Sequence, residues 1–288
     1  MPNLLDFFGF VFHFPGLLGG PNTFYREYQD VINNIRYEPG KIPSSRWIPA
    51  LVNLIKGIVF FIVFVVASIV LPTDVLYEDS FHEKPLLLRI GILYITYLGV
   101  RFRYYGLWKM GEGICICNGF GERKEKDGST NWGGISNVDI IPFETSHSFS
   151  IATRLWNMRT QKWLQMCIYE RSNFNQLYVF MVSAFWHGFY PSYYVGFLYG
   201  SVLLAINKQC TAKLWPRVQG TRWEQPYLWM GTVCVFVFGS FMLEAIFSYT
   251  FERAMLCWKQ VSYFGLVVVP FAFTVLALIP KVKKEKKD

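Results

Sequence analysis

From residue 176 to residue 207 the chain carries no Asp, Glu, Lys or Arg, and yet His187 stands inside that stretch between Trp186 and Gly188. An uncharged run of this length suits a hydrocarbon layer, which a helix crosses with roughly 20 mostly apolar residues. Four more windows have the same character. Residues 53–71 are interrupted only by Lys56, and residues 90–100 continue to Trp108 through Arg101 and Arg103. Residues 227–251 hold a single charge, Glu244, and residues 261–279 hold none. Only 17% of the residues are charged, against about a quarter in soluble domains. In lipid every backbone N–H and C=O must be paired within the protein, so apolar runs of this kind become helices. The sequence predicts an all-α polytopic membrane protein, a single membrane-embedded domain over residues 1–288.

Charge between the runs orients the chain. Five lysines crowd the last eight residues, KVKKEKKD, and Lys/Arg excess marks the cytoplasmic side. Residues 280–288 are therefore expected to be a cytosolic tail. Counting back through two spans returns residues 208–224, with Lys208, Lys213, Arg217 and Arg222, to the cytosol. Residues 72–84 hold Asp74, Glu78, Asp79 and Glu83 against Lys84 and read as luminal, while residues 101–171 hold ten Lys or Arg and read as cytosolic. The uncharged run then has cytosol at both ends. Its 177–206 core would make a helix of about 45 Å, too short for two crossings of about 20 residues each. Two short helices meeting at GFYP, residues 188–191, are expected instead, with the irregular backbone buried in protein. Lysines third and fifth from the end match the KxKxx retrieval pattern of the endoplasmic reticulum, a receptor-read address.

Several function classes drop out. The net charge of +8 lies in loops and the tail, without the basic-aromatic alternation of a nucleic-acid groove, so it reads as orientation charge and a bed for an anionic substrate. The six cysteines form no pair of CxxC units, and neither zinc nor an obligatory disulfide is predicted. Residues 1–20 lack a basic start and a small-residue cleavage pattern and contain Asp6 and His13. They read as a short, Gly- and Pro-broken element in or re-entering the membrane.

His187 is the first polar anomaly, since a titratable group at membrane depth needs a partner or a task. Ser183 and Ala184 lie one helical turn back and are small; Tyr190 lies one turn ahead. Small neighbours leave room for a ligand, or equally let helices pack closely around a core histidine. Asn157 is the second anomaly, within RLWNMRTQKWL at residues 154–164. Read as one helix, this segment places Trp156, Thr160, Trp163 and Cys167 on one stripe, suited to the membrane interface, with Asn157 solvated or acting in a site. An imidazole can serve as a general base and a carboxamide can stabilise an oxyanion. No GxSxG elbow and no acid near His187 suggests a triad. The pair best serves direct transfer, with His187 taking a proton from a substrate hydroxyl that attacks an activated carbonyl.

These segments resemble those of the membrane-bound O-acyltransferase (MBOAT) family, and most its lysophospholipid acyltransferase branch. WNMRTQKWL (156–164) matches the branch pattern W-N-x-x-T-x-x-W-L, and SAFWHGFYPSYY (183–194) matches S-A-x-W-H-G-x-x-P-x-Y-Y. FETSHSF (143–149) and LLGGPNTFYREY (17–28) add support. The resemblance implies an MBOAT-like helical bundle with a buried catalytic chamber in the endoplasmic reticulum membrane. It implies transfer of a fatty acyl group from acyl-CoA, as co-substrate, to a lysophospholipid hydroxyl, with no further cofactor. His187 is then the catalytic base and Asn157 its partner.

Arg154, Arg159, Lys162 and Arg171 are candidates for the CoA phosphates. Trp156, Trp163, Phe185 and Trp186 are candidates for lining an acyl cleft, and Ser183 and Tyr190 flank the base. Ser192 stands where the branch often has Gly. The resemblance also implies spans before the segment that begins here, so an N-terminally short chain is expected. The alternative to an active enzyme is an inactive relative that binds lipid or pairs with a full-length one. The sequence assigns no headgroup and no oligomeric state.

Overall fold

The computed structural model describes residues 2–282 apart from Leu18, Asn34, Pro39 and Gly40. The retrieval pattern and all of the expected cytosolic tail beyond Val282 lie outside the described residues. The chain is helical almost throughout, beginning with α1 (Leu4–Val11), α2 (Phe14–Leu17), α3 (Tyr25–Ile32), α4 (Trp47–Val70), α5 (Asp79–His82) and α6 (Leu86–Cys117). A small hairpin, β1 (Arg123–Lys124) with β2 (Thr130–Asn131), is followed by α7 (Ile140–Glu144), α8 (Phe149–Leu155) and α9 (Met158–Leu164). The rest is α10 (Gln176–His187), α11 (Pro191–Lys213), α12 (Trp215–Val218), α13 (Glu224–Phe247), α14 (Phe251–Gln260) and α15 (Phe264–Leu278).

Among the described residues, Ser44–Val70 and Glu224–Phe247 are long and apolar enough to cross a membrane. The protein is thus an integral membrane protein. The run at 261–279 forms α15 over Phe264–Leu278, after a break in its first three residues. Ser262 (φ 57°) and Tyr263 (φ 51°) break the backbone, and α14 meets α15 at 79°. The uncharged run at 177–206 breaks where GFYP suggested, between α10 and α11. Pro191 opens α11 at a helix start, where its missing N–H leaves no bond unmade.

The chain gathers into two compact units. The first holds residues 1–70, 99–140 and 155–163. Its frame is the antiparallel pair of α4 and the later part of α6. Gly99, Gly106 and Gly113 recur every seventh residue along α6, so they share one face. A methyl group built on Gly57 would stand 2.9 Å from the Gly106 carbonyl oxygen, and one on Gly113 would stand 2.9 Å from that of Ala50. Small residues thus let the two backbones touch, the usual device where lipid offers no hydrophobic drive. The opposite side of α4 exposes Ile48, Ile55, Ile62 and Ile69, a stripe suited to acyl chains. At the end of α6, Tyr28, Ala50, Cys115, Ile116, Phe120, Trp132 and Ile135 form a core that leads into residue 137.

The second unit holds residues 71–98, 141–154 and 164–288. Gly196 and Gly200 of α11 lie against Ile246 and Met242 of α13. Phe241 stacks on Trp258 with ring centroids 4.6 Å apart and packs edge-on against Phe264 at 5.0 Å, tying α13 to α14 and α15. Asn207 Oδ1 accepts from Ser148 Oγ at 2.9 Å and from the Ser150 N–H at 2.8 Å, capping the start of α8. Lys213, although buried, donates to the Leu276 carbonyl at 2.5 Å near the end of α15.

Candidate active site

The helix expected through residues 154–164 is interrupted at its polar residue. α8 stops at Leu155, α9 starts at Met158, and Asn157 between them has φ 49°. Asn tolerates this left-handed conformation better than most side chains. Asn137 holds the break open. Its carbonyl accepts the Met158 N–H at 2.7 Å, its Oδ1 accepts the Arg159 N–H at 3.0 Å, and its Nδ2 donates to Asn157 Oδ1 at 3.0 Å. The first N–H groups of α9 are thereby satisfied by a neighbouring loop, and a straight interfacial helix is replaced by a presented carboxamide.

The surroundings of Asn157 are fixed in the same way. Trp156 packs its ring on Tyr104, Tyr105 and Trp108, at 5.6, 5.9 and 4.8 Å between centroids. Arg159 is buried, 5% exposed, with Nε donating to the Asn22 carbonyl at 2.7 Å and Nη1 to the Gly134 carbonyl at 3.2 Å. Its Nη2 pairs with Glu27, and its guanidinium lies 4.7 Å from the Phe24 ring. Its donors are therefore committed to Asn22, Glu27 and Gly134. Lys162 is exposed, with Nζ 5.3 Å from the same ring, and Trp163 is half-buried. Arg154 belongs to the second unit, where its Nε donates to Ser150 O at 3.2 Å and its surface is exposed, as is that of Arg171.

His187 ends α10 in the second unit. Its Nδ1 lies 2.7 Å from the Ser183 carbonyl oxygen. A carbonyl oxygen only accepts, so Nδ1 carries the hydrogen and Nε2 keeps the basic lone pair. Trp186 stands edge-on at 4.7 Å, Phe197 lies at 4.7 Å and Tyr193 at 6.1 Å, which gives aromatic walls around an imidazole that is exposed among the described residues. Tyr190 joins the wall through Tyr193 and Tyr249, each at 5.5 Å. Phe185 is 59% exposed and meets Phe189 at 5.3 Å. Ser183 and Ala184 are buried as the small residues beneath. Gly188, at φ 138° and ψ −175°, lets the chain turn directly after the imidazole.

The structure groups Ser183, Trp186, His187 and Tyr190 in one unit, and Trp156, Asn157, Arg159, Lys162 and Trp163 in the other. Sequence reasoning missed Asn137, and with it Glu112 and Lys109, which stand behind it. It also missed Phe197 and Tyr249. Nothing in local spacing marks Asn137, twenty positions before the residue it holds; only its burial, at 1% exposed, reveals it.

A family model described as MBOAT, membrane-bound O-acyltransferase family, matches residues 1–250. A lysophospholipid acyltransferase of Schizosaccharomyces pombe is 29% identical over 296 residues, covering 96% of this chain and 58% of its own. Lysophospholipid acyltransferase 6 of Drosophila melanogaster is 30% identical over 240 residues, 77% of this chain and 33% of its own. Membrane-bound glycerophospholipid O-acyltransferase 2 of Gallus gallus is 32% identical over 220 residues, 70% of this chain and 42% of its own. The chain thus spans about half the length of the curated relatives it matches.

Proposed function

The chain belongs to the membrane-bound O-acyltransferase family, and from that premise we propose that it moves a fatty acyl group from acyl-CoA to the hydroxyl of a lysophospholipid. The lysophospholipid oxygen attacks the thioester carbonyl carbon, its proton passes to His187 Nε2, and a C–O bond forms. The tetrahedral oxyanion collapses, the C–S bond breaks, and the imidazolium returns the proton to the CoA thiolate. No enzyme nucleophile takes part. General-base catalysis of this kind contributes about 10²–10⁴ in rate.

The observation that carries the reading is the Nδ1 hydrogen bond of His187, which reserves Nε2 for the substrate. Asn157 is the carboxamide assigned to the developing oxyanion, an interaction that gains strength only as charge appears. Lys162, Arg154 and Arg171 are the exposed cations proposed for the CoA phosphates; Arg159, a further candidate, is buried and paired with Glu27, and Trp156 packs on Tyr104, Tyr105 and Trp108. Trp186, Tyr190 and Phe185 are proposed to line the acyl path, with Trp163 beside α9. We place the whole of residues 1–288 in one endoplasmic reticulum membrane domain with a cytosolic end at residues 280–288.

The test is incorporation of labelled oleoyl-CoA into a lysophospholipid panel by microsomes expressing this chain. Turnover by wild type that is lost in His187→Ala supports the reading. Stable membrane expression with no turnover by wild type favours a lipid-binding or pairing role. Full activity in His187→Ala removes the base.

A further inference from the structure

Resting on the assignment of Asn157 above, we infer that Asn137 is a positioning residue that sets which way the Asn157 carboxamide faces, so that Asn157 offers the reaction its Nδ2 hydrogens. The orientation follows from donors that cannot be exchanged. The Arg159 backbone N–H only donates, so the Asn137 atom 3.0 Å from it is the oxygen. The other end of that amide is then Nδ2, and the Asn157 atom it meets at 3.0 Å must be Oδ1. Asn157 Nδ2 is left as the free end.

What fixes Asn157 is itself held. The Asn137 N–H donates to Glu112 Oε1 at 2.8 Å, and Lys109 Nζ donates to Glu112 Oε2 at 2.7 Å and to the Val138 carbonyl at 3.1 Å. Glu112 is 2% and Asn137 1% exposed, so these groups have no water to turn to and the network is locked. A carboxamide oxygen facing the thioester would repel the oxyanion; an N–H stabilises it. Asn137 therefore decides the sign of the Asn157 contribution without touching substrate.

The test measures kcat and KM of oleoyl transfer, and thermal unfolding midpoints, for the full chain in microsomal membranes. Asn137→Asp keeps the acceptor for the Arg159 N–H and loses the donor to Asn157. It is expected to lower kcat about tenfold or more with KM within about twofold of wild type. Adding Asn157→Ala to it is expected to lower kcat no further than Asn157→Ala alone, because the two act as one unit.

Asn157→Asp keeps the partner of Asn137, and so the fold, but puts an oxygen where the Nδ2 donor stood; it should be at least as slow as Asn157→Ala. Wild-type kcat in Asn137→Asp, multiplying losses in the double variant, or full kcat in Asn157→Asp would each overturn the inference. Wild type without transfer, or Asn157→Ala with undiminished transfer, overturns it through the premise on which it rests, and that result is distinct from the other three.

Discussion

The imidazole of His187 and the carbonyl of Ser183 are joined by a 2.7 Å hydrogen bond across one turn of α10. The bond pins the ring and selects its tautomer using main chain alone, so no carboxylate is needed beside a base at membrane depth. His187→Ala and His187→Gln are both expected to lower transfer by about 10²–10⁴, since neither side chain accepts a proton at neutral pH. The residue is exposed, so thermal midpoints in detergent should stay close to wild type. Initial rates and unfolding measured on the same preparations separate the two effects.

Gly188 supplies the turn that follows. Its φ of 138° with ψ of −175° lies in a region essentially reserved for glycine, and an added Cβ would stand 3.3 Å from Tyr193 Cε2. Gly188→Ala should destabilise the protein by about 1–3 kcal/mol and displace the imidazole next to it. Phe189→Ala, one position on at an exposed side chain, should shift stability by only about 0.5 kcal/mol or less. Thermal unfolding paired with turnover distinguishes the two substitutions.

Much of this architecture was legible because burial in lipid is written in composition. The absence of charge from 176 to 207 and the GFYP break gave two helices and their junction, and the motif around His187 gave the family. The stretch around Asn157 misled for a physical reason. Its apolar spacing fits one helix, and only a long-range partner, Asn137, makes a left-handed residue cheaper there than another helical turn. The bend between α14 and α15 was hidden likewise, since Val261, Ser262 and Tyr263 carry no charge and no Gly or Pro to mark a turn. The pairing of Arg159 with Glu27 was hidden because charge shows in sequence and a partner more than a hundred residues away does not.

The α4–α6 contact makes a separate prediction. Gly57 is buried where its Cβ would meet the Met110 amide nitrogen at 2.7 Å, and Gly106 where its Cβ would meet the Phe61 nitrogen at 3.0 Å. Leucine at either position forces the backbones apart, and Gly57→Leu or Gly106→Leu should cost about 1–3 kcal/mol or more. Ile62→Leu, on the exposed stripe of the same helix, should leave the unfolding midpoint unchanged. Equal midpoints for all three variants would show that the close approach carries no stability.

Glu244 tests how a carboxyl is tolerated inside a membrane helix. It is 0% exposed on α13 and accepts from Tyr77 Oη at 2.8 Å and Tyr97 Oη at 2.6 Å. Removing the acceptor strands two phenol hydroxyls, one of them on Tyr97, itself 1% exposed. Glu244→Leu should therefore cost about 1–3 kcal/mol for each donor left without a partner. Glu244→Gln keeps a carbonyl acceptor and should lose less. The decisive comparison is the triple variant Glu244→Leu, Tyr77→Phe and Tyr97→Phe. With both phenols and the acceptor removed together, only the weak thiol donor of buried Cys257 loses its partner, and stability should return toward wild type. Unfolding midpoints in detergent read all of these directly. If the triple variant is less stable than Glu244→Leu alone, the two tyrosines hold α13 by something other than the carboxylate.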